Sequence, residues 1–154
     1  MIRRATLGDV DAVLELYRKC MTELTTLGGY PVEDDSAYWE PARMSIANIV
    51  ESPNERCVLA VDVGGAVVGY EIAYIFDLEP PYKPMRLMRS VSTYIEPEHR
   101  GGKLAKDLVQ TAIDWAKERG ATKLEAFTLM DNRSRLLMER SGFKVGGYEL
   151  RRDA

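Results

Sequence analysis

The chain has 154 residues, of which 45% are hydrophobic and 29% charged, the composition of one globular domain over residues 1–154 rather than a disordered or fibrous protein. A chain of this length buries roughly 68–70% of its unfolded surface without help from disulfides or metals. Its 21 basic and 24 acidic side chains leave a net charge of −3, which argues against a nucleic-acid partner because such proteins need a basic surface.

The first half of the chain predicts a short strand and two helices. Met1 to Arg4 lack the apolar run of a signal peptide, and no stretch approaches about 18 apolar residues, so we expect a cytoplasmic protein without a membrane partner. After a strand at Ile2 to Ala5, apolar residues recur at helical spacing up to Leu24. An acidic and aromatic segment through Trp39 predicts a loop or a partly helical lid. A second helix begins near Pro41, which suits a first helical turn, and ends before Pro53.

The second half predicts mostly strands, with two more helices. The β-branched residues from Cys57 to Phe76 surround Gly64-Gly65, a pair typical of a two-residue hairpin turn. The later elements are, in chain order, a strand at Arg86 to Ile95, a helix at Leu104 to Ala116 closed by Gly120, a strand at Lys123 to Leu129, a helix capped by Asn132 and closed by Gly142, and strand material at Phe143 to Leu150. This order predicts an α+β (α/β) fold in which one mainly antiparallel central sheet is flanked by helices.

The segment from Tyr94 to Ala105 is a strand that runs into a glycine-rich turn and opens a long helix. Free N–H groups in a first helical turn carry an effective charge of about +0.5, and glycines let the backbone approach phosphate oxygens. Arg100 and Lys103 add charge that matches a pyrophosphate. From the residues alone, the other interpretation is a tight strand-to-helix turn with two solvated basic side chains.

This segment resembles the central acyl-CoA-binding motif of the GCN5-related N-acetyltransferase (GNAT) superfamily. Ile95, Pro97, Arg100 and Ala105 match that motif. The fourth place of the family's loop is a glycine, whereas this chain has Lys103 there. We expect the amide of Lys103 still to donate, and its ammonium to swing toward a phosphate.

A second resemblance to the same superfamily lies downstream, in Asn132 and in Gly142-Phe143, so the likeness covers essentially the whole chain. It implies a GNAT-like fold with a splay between the two central strands, and acetyl-CoA (coenzyme A) as co-substrate with no metal. The implied cofactor-binding residues are Tyr94 and Ile95 through their backbone, then Arg100, Gly101, Gly102, Lys103, Leu104 and Ala105 around the pyrophosphate, and Asn132 along the pantetheine. A plain helix cap is the other interpretation of Asn132.

The catalytic groups are less clearly marked. Many family members place a tyrosine where this chain has Met138, whose thioether has no proton for the departing thiolate. Tyr94, Ser134 and Tyr148 are the alternative donors, unless the thiolate leaves unaided. For the general base, the resemblance points to a carboxylate on a central strand.

Glu71 and Glu125 are the available carboxylates, and we favour Glu71 as the catalytic residue. The other interpretation of Glu71 is a salt bridge with Arg89 or an exposed strand face. His99, the one histidine, lies in the phosphate-side turn and fits a solvated loop residue better than a base. Cys20 and Cys57 lack the spacing of a metal site or redox pair, so we expect both to be reduced and packed.

The acceptor implied by the resemblance is a primary amine of a small molecule or peptide. Glu33 to Asp35, beside Tyr38 and Trp39, suit a cationic acceptor, although charge runs in loops are usually just solvated. Arg86 and Arg89 point instead to an acceptor with a carboxylate. These two signals conflict, and they indicate no single acceptor class.

Three functions follow from this reasoning. The leading one is an N-acetyltransferase that moves an acetyl group directly from acetyl-CoA to an amine. The alternative is a catalytically idle acyl-CoA-binding module, motivated by Met138 and Lys103. A third is a binder of another nucleotide phosphate through the same turn. A homodimer through the last strands is an expectation of the resemblance alone.

Overall fold

The computed structural model of the chain describes residues 1–52, 54–128 and 133–147, with the backbone only at 133 and 134. The elements are β1 Ile2–Arg4, α1 Val10–Thr26, α2 Glu40–Glu51, β2 Arg56–Val63, β3 Ala66–Asp77, β4 Arg86–Ile95, α3 Lys103–Glu118, β5 Lys123–Ala126 and α4 Arg133–Arg140. Single turns of 3-10 helix lie at Leu7–Asp9, Ser36–Trp39 and Pro97–His99. The predicted order of helices and strands is therefore confirmed as far as β5 and α4.

Five strands form one sheet in the order β1-β2-β3-β4-β5. The first four are antiparallel to their neighbours, and β5 lies parallel to β4. Gly64 and Gly65 join β2 to β3 with φ of 62° and 88°, the two positive angles that a two-residue hairpin turn demands. The mainly antiparallel sheet with flanking helices is the predicted fold class.

The sheet opens between its two central strands. β5 pairs only with the first part of β4, from Leu87 opposite Lys123 to Ser90 opposite Ala126. Beyond Ser90, β4 continues to Ile95 without a partner on that edge among the described residues. This unpaired edge is the expected splay.

An extra residue in β4 lies at the mouth of the splay. Ile72 pairs with Ser92 and Ala73 with Ser90, so Val91 is the extra residue of a β-bulge. Because a bulge shifts the alternation of side chains by one, residues three apart come to share a face of the sheet. Ser90 and Thr93 accordingly lie together, with their hydroxyl oxygens 3.3 Å apart.

Each face of the sheet carries its own hydrophobic core. Helices α1 and α2 cover one face, where the buried residues are Val10, Val13, Leu16, Cys20, Ile46, Ile49, Val58, Tyr70, Ile72 and Tyr94. Helix α3 covers the other face with Leu108, Ala112, Trp115 and Ala116. Helix α4 packs on α3 through Met138, beside Val109 and Ile113. The sheet is thus covered by helices on both sides.

Glycines end two helices at the predicted positions. Gly120 has a φ of 81°, and the N–H of Ala121 donates to the carbonyl of Ala116 at 3.0 Å. Gly142 has a φ of 93°, and the N–H of Phe143 donates to Met138 in the same way. Both ends are Schellman motifs, in which glycine adopts the left-handed conformation without a Cβ clash.

The end of the chain departs from the prediction. β5 stops at Ala126 rather than Leu129. We predicted strand material over residues 143–150, but residues 143–147 are irregular and residues 148–150 lie outside the described part. Gly146 and Gly147 lack the side-chain packing that holds a strand in a sheet, which accounts for the irregular stretch.

Candidate active site

The first turn of α3 is bare, which means that no described side chain caps its free N–H groups. Gly102 is its N-cap residue, and the described residues provide no side-chain cap. The N–H groups of Lys103, Leu104 and Ala105 therefore have no partner within the helix. A Cβ built on Gly101 or Gly102 would meet nothing within 4 Å, so the space before this turn is open. Such a turn is suited to an anion.

The two basic side chains of the turn differ in their surroundings. The Arg100 guanidinium donates to both carboxylate oxygens of Glu23 in α1, at 3.0 and 2.7 Å, and its Nε donates to the carbonyl of Ile95 at 2.7 Å. It also lies 5.0 Å from the ring centre of Tyr94. The Lys103 side chain is 85% exposed, with its ammonium 3.7 Å from Asp107. Only Lys103 offers a mobile charge to the open space.

Tyr94 and Ile95 form the last part of the unpaired edge of β4. Both are buried, and they pair on the other side with Tyr70 and Gly69 of β3. The Tyr94 ring stacks on Tyr70 with centres 6.5 Å apart, and burial raises the pKa of Tyr94. The predicted backbone contact for an extended ligand therefore lies on a rigid strand, although Arg100 already holds the Ile95 carbonyl.

Glu71 is buried on the α3 face of the sheet, with 1% of its surface exposed. The Thr93 hydroxyl donates to its Oε2, while Oε1 has no hydrogen-bond partner among the described residues. Burial raises the pKa of Glu71 to about 7, against the opposing effect of hydrogen bonds from Ser90 and Thr93. The interpretation of Glu71 as an exposed residue or a partner of Arg89 was therefore wrong.

The neighbouring charges are already paired. Arg89 donates to Glu125 through Nε at 3.1 Å and Nη2 at 2.7 Å, and to the Tyr74 hydroxyl at 3.0 Å. Arg86 pairs with Asp77 at 2.8 Å and with Glu55 at 3.0 Å. Both arginines therefore stabilise strand ends, which weakens the expectation that they bind an acceptor carboxylate. Glu125 is likewise tied to Arg89, on the surface.

A cleft of about 340 Å³ opens on the other face of the sheet, between the helices α1 and α2 and the strands β3 and β4. Its lining residues are Tyr17, Ala42, Ser45, Ile46, Ile49, Arg56, Ile72, Ala73, Tyr74 and Val91. Val91 is the bulge residue and is 51% exposed, so the cleft reaches the point where β4 leaves β5. Glu71 does not line it. A second cavity, of about 360 Å³, lies at the end of α2 and is polar.

The acidic segment before α2 makes local contacts. Asp35 accepts from the N–H of Ala37 at 2.9 Å and so caps the turn Ser36–Trp39. The Trp39 indole N–H donates to the carbonyl of Glu33 at 2.9 Å. None of the three acidic residues lines the cleft. The predicted partly helical segment is confirmed, but its carboxylates lie outside the cleft.

Of the predicted proton donors to the leaving thiolate, the structure describes the side chain of Tyr94 but not those of Ser134 and Tyr148. Met138 is buried between α3 and α4, and Tyr94 is buried with its hydroxyl 3.4 Å from Glu96. Tyr148 and Asn132 lie outside the described residues, as does the side chain of Ser134. Of the predicted site residues, the structure thus brings together Tyr94, Ile95 and the turn at 100–105.

Sequence reasoning missed three groups at this site. Thr93 lies opposite Glu71 in the strand register, and the bulge at Val91, which no local residue pattern marks, brings Ser90 to the same face. Arg56 was not singled out by sequence reasoning, since it lies one residue before the predicted hairpin, and it lines the cleft. Tyr17 was assigned to the core stripe of the first helix, and it reaches the cleft as well.

Comparisons with known proteins agree on the fold. Residues 10–143 match the Acetyltransferase (GNAT) family. A tetramutant of a Bacillus halodurans protein is similar with a TM-score of 0.84 at 15% identity, over 100% of this chain and 99% of that one. A Clostridium acetobutylicum structure described as a "predicted acetyltransferase with acetyl-CoA" has a TM-score of 0.78 at 18% identity, over 99% and 95% of the two chains.

A third solved structure holds a bisubstrate analogue. It is AAC(6')-Iy in complex with CoA-S-monomethyl-acetylneamine, with a TM-score of 0.75 at 14% identity, over 100% of this chain and 97% of that one. At these identities the likeness is one of fold alone. No curated protein matches the chain. The helices of the described residues include none with the length and apolar character needed to cross a bilayer.

Proposed function

Because the chain belongs to the acetyltransferase (GNAT) family, we propose that it is an acetyl-CoA-dependent N-acetyltransferase acting on a primary amine of a small molecule or peptide. The observation that carries the proposal is the bare first turn of α3, which faces open space beside the unpaired edge of β4. A diphosphate anion fits the turn, and an extended amide-bearing chain fits the edge.

The residues present fit the cofactor. The N–H groups from Gly101 to Ala105 would hold the pyrophosphate, with Lys103 as a mobile charge beside it. The backbone of Tyr94 and Ile95 would face the pantetheine, and Asn132 remains a proposed contact. Bound acetyl-CoA supplies the acetyl group as a thioester. Arg100 acts in this arrangement as a brace between α1 and β4, since its guanidinium faces Glu23 and its backbone N–H donates to the Pro97 carbonyl.

Direct transfer is favoured by the state of the two thiols. A covalent acetyl-enzyme would need an accessible thiolate. Cys20 and Cys57 are the only cysteines, and both are buried. Burial raises the pKa of Cys20, and it raises the pKa of Cys57 to about 12. Neither thiol lines the cleft, so the amine itself takes the acetyl group.

Glu71 is the proposed general base. With a pKa of about 7 it is partly ionised at neutral pH, the range in which a base both accepts and releases a proton readily. Its free Oε1 has room for that proton. The cleft lies on the opposite face, and neither Ser90 nor Thr93 lines it. The Thr93 and Ser90 hydroxyls, which contact each other beside Glu71, are the route that we propose for the proton around the edge of the splay.

An idle acyl-CoA-binding module is the second candidate. It is favoured by Met138, a buried thioether where many family members carry a tyrosine. Both candidates need the same bare turn, so cofactor binding does not separate them. Turnover does.

The test combines a thermal shift with CoA and an assay of thiol release from acetyl-CoA over a panel of amines. CoA stabilisation together with thiol release by one amine class supports the enzyme. Stabilisation without release by any amine supports the binding module. If ATP or a dinucleotide stabilises the protein and CoA does not, the turn serves another nucleotide, and the proposed function fails.

A further inference from the structure

The cleft beside the bulge is largely apolar. Its walls include the side chains of Tyr17, Ile46, Ile49, Ile72, Tyr74 and Val91. A cavity of about 340 Å³ is of the size that encloses a small organic molecule rather than an ion. Burying an apolar body here would stabilise the complex by about 25 cal/mol for each Å² removed from water. The cleft therefore suits a ligand with an apolar or aromatic body.

One charged residue lines this cleft among the described residues, and it is Arg56 at the start of β2. No ion pair within 4.0 Å joins the Arg56 guanidinium to a described carboxylate. Its neighbour Glu55 is held by Arg86 instead, at 3.0 Å. Arg56 thus presents an unpaired positive charge at the cleft wall, and a carboxylate is the natural partner of a guanidinium.

The positive charge and the reaction centre lie at opposite ends of the cleft. Arg56 is opposite Tyr74, which is opposite Arg89, two residues before Val91. Two strand spacings of about 4.8 Å and two residue rises of about 3.3 Å place the Cα atoms of Arg56 and Val91 roughly 12 Å apart. An acceptor whose apolar body separates its amine from its carboxylate therefore fits the two ends of the cleft better than a compact α-amino acid.

We propose that the acceptor is a primary amine with an apolar, preferably aromatic, body and a carboxylate at the end remote from the amine. The proposal rests on the proposed function, since it assigns the substrate class of that same site. The amine points to the splay at Val91, the body fills the cleft, and the carboxylate pairs with Arg56. Polyamines and aminoglycosides are disfavoured, because none of the residues that line the cleft is a carboxylate.

The transfer balances without a further reactant. The acceptor nitrogen forms the new bond to the acetyl carbon as the thioester C–S bond breaks. The sulfur leaves with the bonding pair as a thiolate, and the nitrogen gives up one proton, for which Glu71 is the proposed base.

The experiment compares four amines that have both, one or neither of the two proposed features, an apolar body and a carboxylate. They are para-(aminoethyl)benzoate with both body and carboxylate, phenethylamine with the body alone, β-alanine with the carboxylate alone, and spermidine with neither. Thiol release gives kcat and KM for each. Calorimetric titration of the same amines into the CoA-bound protein measures binding without turnover.

Arg56→Gln is the test variant, and Arg43→Gln is its matched control. Arg43 lies on α2 and pairs with Asp11 at 2.8 Å, but does not line the cleft. We expect para-(aminoethyl)benzoate to bind about 10-fold more tightly than phenethylamine, as a charge-assisted hydrogen bond predicts. Arg56→Gln should remove this advantage and leave phenethylamine within 2-fold, whereas Arg43→Gln should retain it.

The outcomes separate the two proposals. If spermidine binds or reacts best, or if Arg56→Gln leaves the preference for the carboxylate unchanged, the acceptor assignment is overturned while acetyl transfer stands. If para-(aminoethyl)benzoate binds through Arg56 yet no amine releases thiol, the cleft assignment holds and the proposed enzymatic function fails.

Discussion

The Arg100 guanidinium is held by the Glu23 carboxylate through two hydrogen bonds, although 77 residues separate them in the chain. The same guanidinium donates to the Ile95 carbonyl and lies over the Tyr94 ring. One side chain thus ties α1, the end of β4 and the start of the phosphate-side turn together. Arg100 is a brace in this state rather than a free phosphate ligand.

Glu23→Gln should weaken CoA binding modestly, by about 2- to 5-fold, since it loosens the brace without touching the turn. If Arg100 were instead a phosphate ligand restrained by Glu23, the same substitution would free its charge and tighten binding. Calorimetric titration with CoA decides the sign. Glu15→Gln on the same helix, whose nearest contact with Arg18 is 3.8 Å, serves as the control.

Gly102→Asp should weaken CoA binding without lowering the stability of the fold. The residue has extended backbone angles, φ −99° and ψ −164°, which any N-cap residue adopts, and a Cβ there meets nothing. An aspartate would cap α3 and keep or raise its stability by a few tenths of a kcal/mol. Its carboxylate would occupy the anion site and repel phosphate, so the thermal shift with CoA should disappear.

The control for Gly102→Asp is Gln110→Glu, which adds the same charge further along α3. It should keep the CoA shift. If Gly102→Asp binds CoA as the wild type does, the pyrophosphate does not lie at this turn.

Glu71→Gln should raise stability at alkaline pH. The carboxyl has a folded-state pKa of about 7, above its usual value of 4.5, so the folded protein binds this proton more tightly than the unfolded chain. Stability from this group is complete below pH 4.5 and is lost as the pH rises through 7. A shift of this size corresponds to about 3 kcal/mol at most.

Urea unfolding at pH 5 and pH 8 measures this effect. Glutamine keeps the shape but carries no charge, so we expect the variant to gain about 1–3 kcal/mol over the wild type at pH 8 and almost nothing at pH 5. An equal gain at pH 5 and pH 8 would mean that burial does not raise the pKa of the Glu71 carboxyl.

Sequence reasoning located the elements whose signals lie in a few neighbouring residues. A Gly-Gly pair between β-branched runs fixed the hairpin at Gly64, and a glycine after an apolar stripe fixed the helix ends at Gly120 and Gly142. In each case the backbone needs a positive φ that glycine adopts without strain. The turn at Gly101 and Gly102 was located for another reason, because a glycine-rich start of a helix suits an anion and because the segment resembles a family motif.

The environment of the candidate site depended on contacts between distant residues. The environment of Glu71 follows from the strand register, which sets Thr93 opposite it, and from the bulge at Val91, which brings Ser90 to the same face. Arg100 pairs with Glu23 because helix α1, which carries Glu23, packs on the sheet. Neither strand register nor helix packing can be predicted from a few neighbouring residues, so the Arg100–Glu23 and Arg89–Glu125 pairs were not predicted.

Glu71→Gln should also change the pH dependence of catalysis. If Glu71 is the base, kcat/KM for an amine that stays neutral across the range rises with pH through about 7 in the wild type. The variant should lose that limb and fall by about 10²-fold above pH 8. Glu125→Gln, the other carboxylate considered, should keep the wild-type profile because Glu125 only pairs with Arg89 on the surface. Overlapping profiles for Glu71→Gln and the wild type would make Glu71 a structural carboxyl.

The hydroxyls of Tyr70 and Ser92 form a buried pair under α1. Their oxygens are 2.7 Å apart, and the Cys20 sulfur lies 3.9 Å from Ser92. Tyr70→Phe or Ser92→Ala alone leaves one buried hydroxyl short of its strongest partner, which costs about 1–3 kcal/mol. The double variant leaves neither hydroxyl stranded, so its loss should be smaller than the sum of the two single losses by about 1 kcal/mol.

Urea unfolding of the four proteins gives this coupling energy directly. Tyr82→Phe, at an exposed tyrosine, should change the free energy of unfolding by less than about 0.5 kcal/mol and controls for the loss of a hydroxyl as such. Strictly additive losses would mean that the two hydroxyls do not interact.

A coupled pair instead explains how α1 keeps a fixed position over β3 and β4, because Tyr17 on that helix packs edge-on against the Tyr70 ring at 6.3 Å. Since Tyr17 also lines the cleft, loosening this pair should widen the acceptor site, and the double variant should discriminate less between phenethylamine and spermidine.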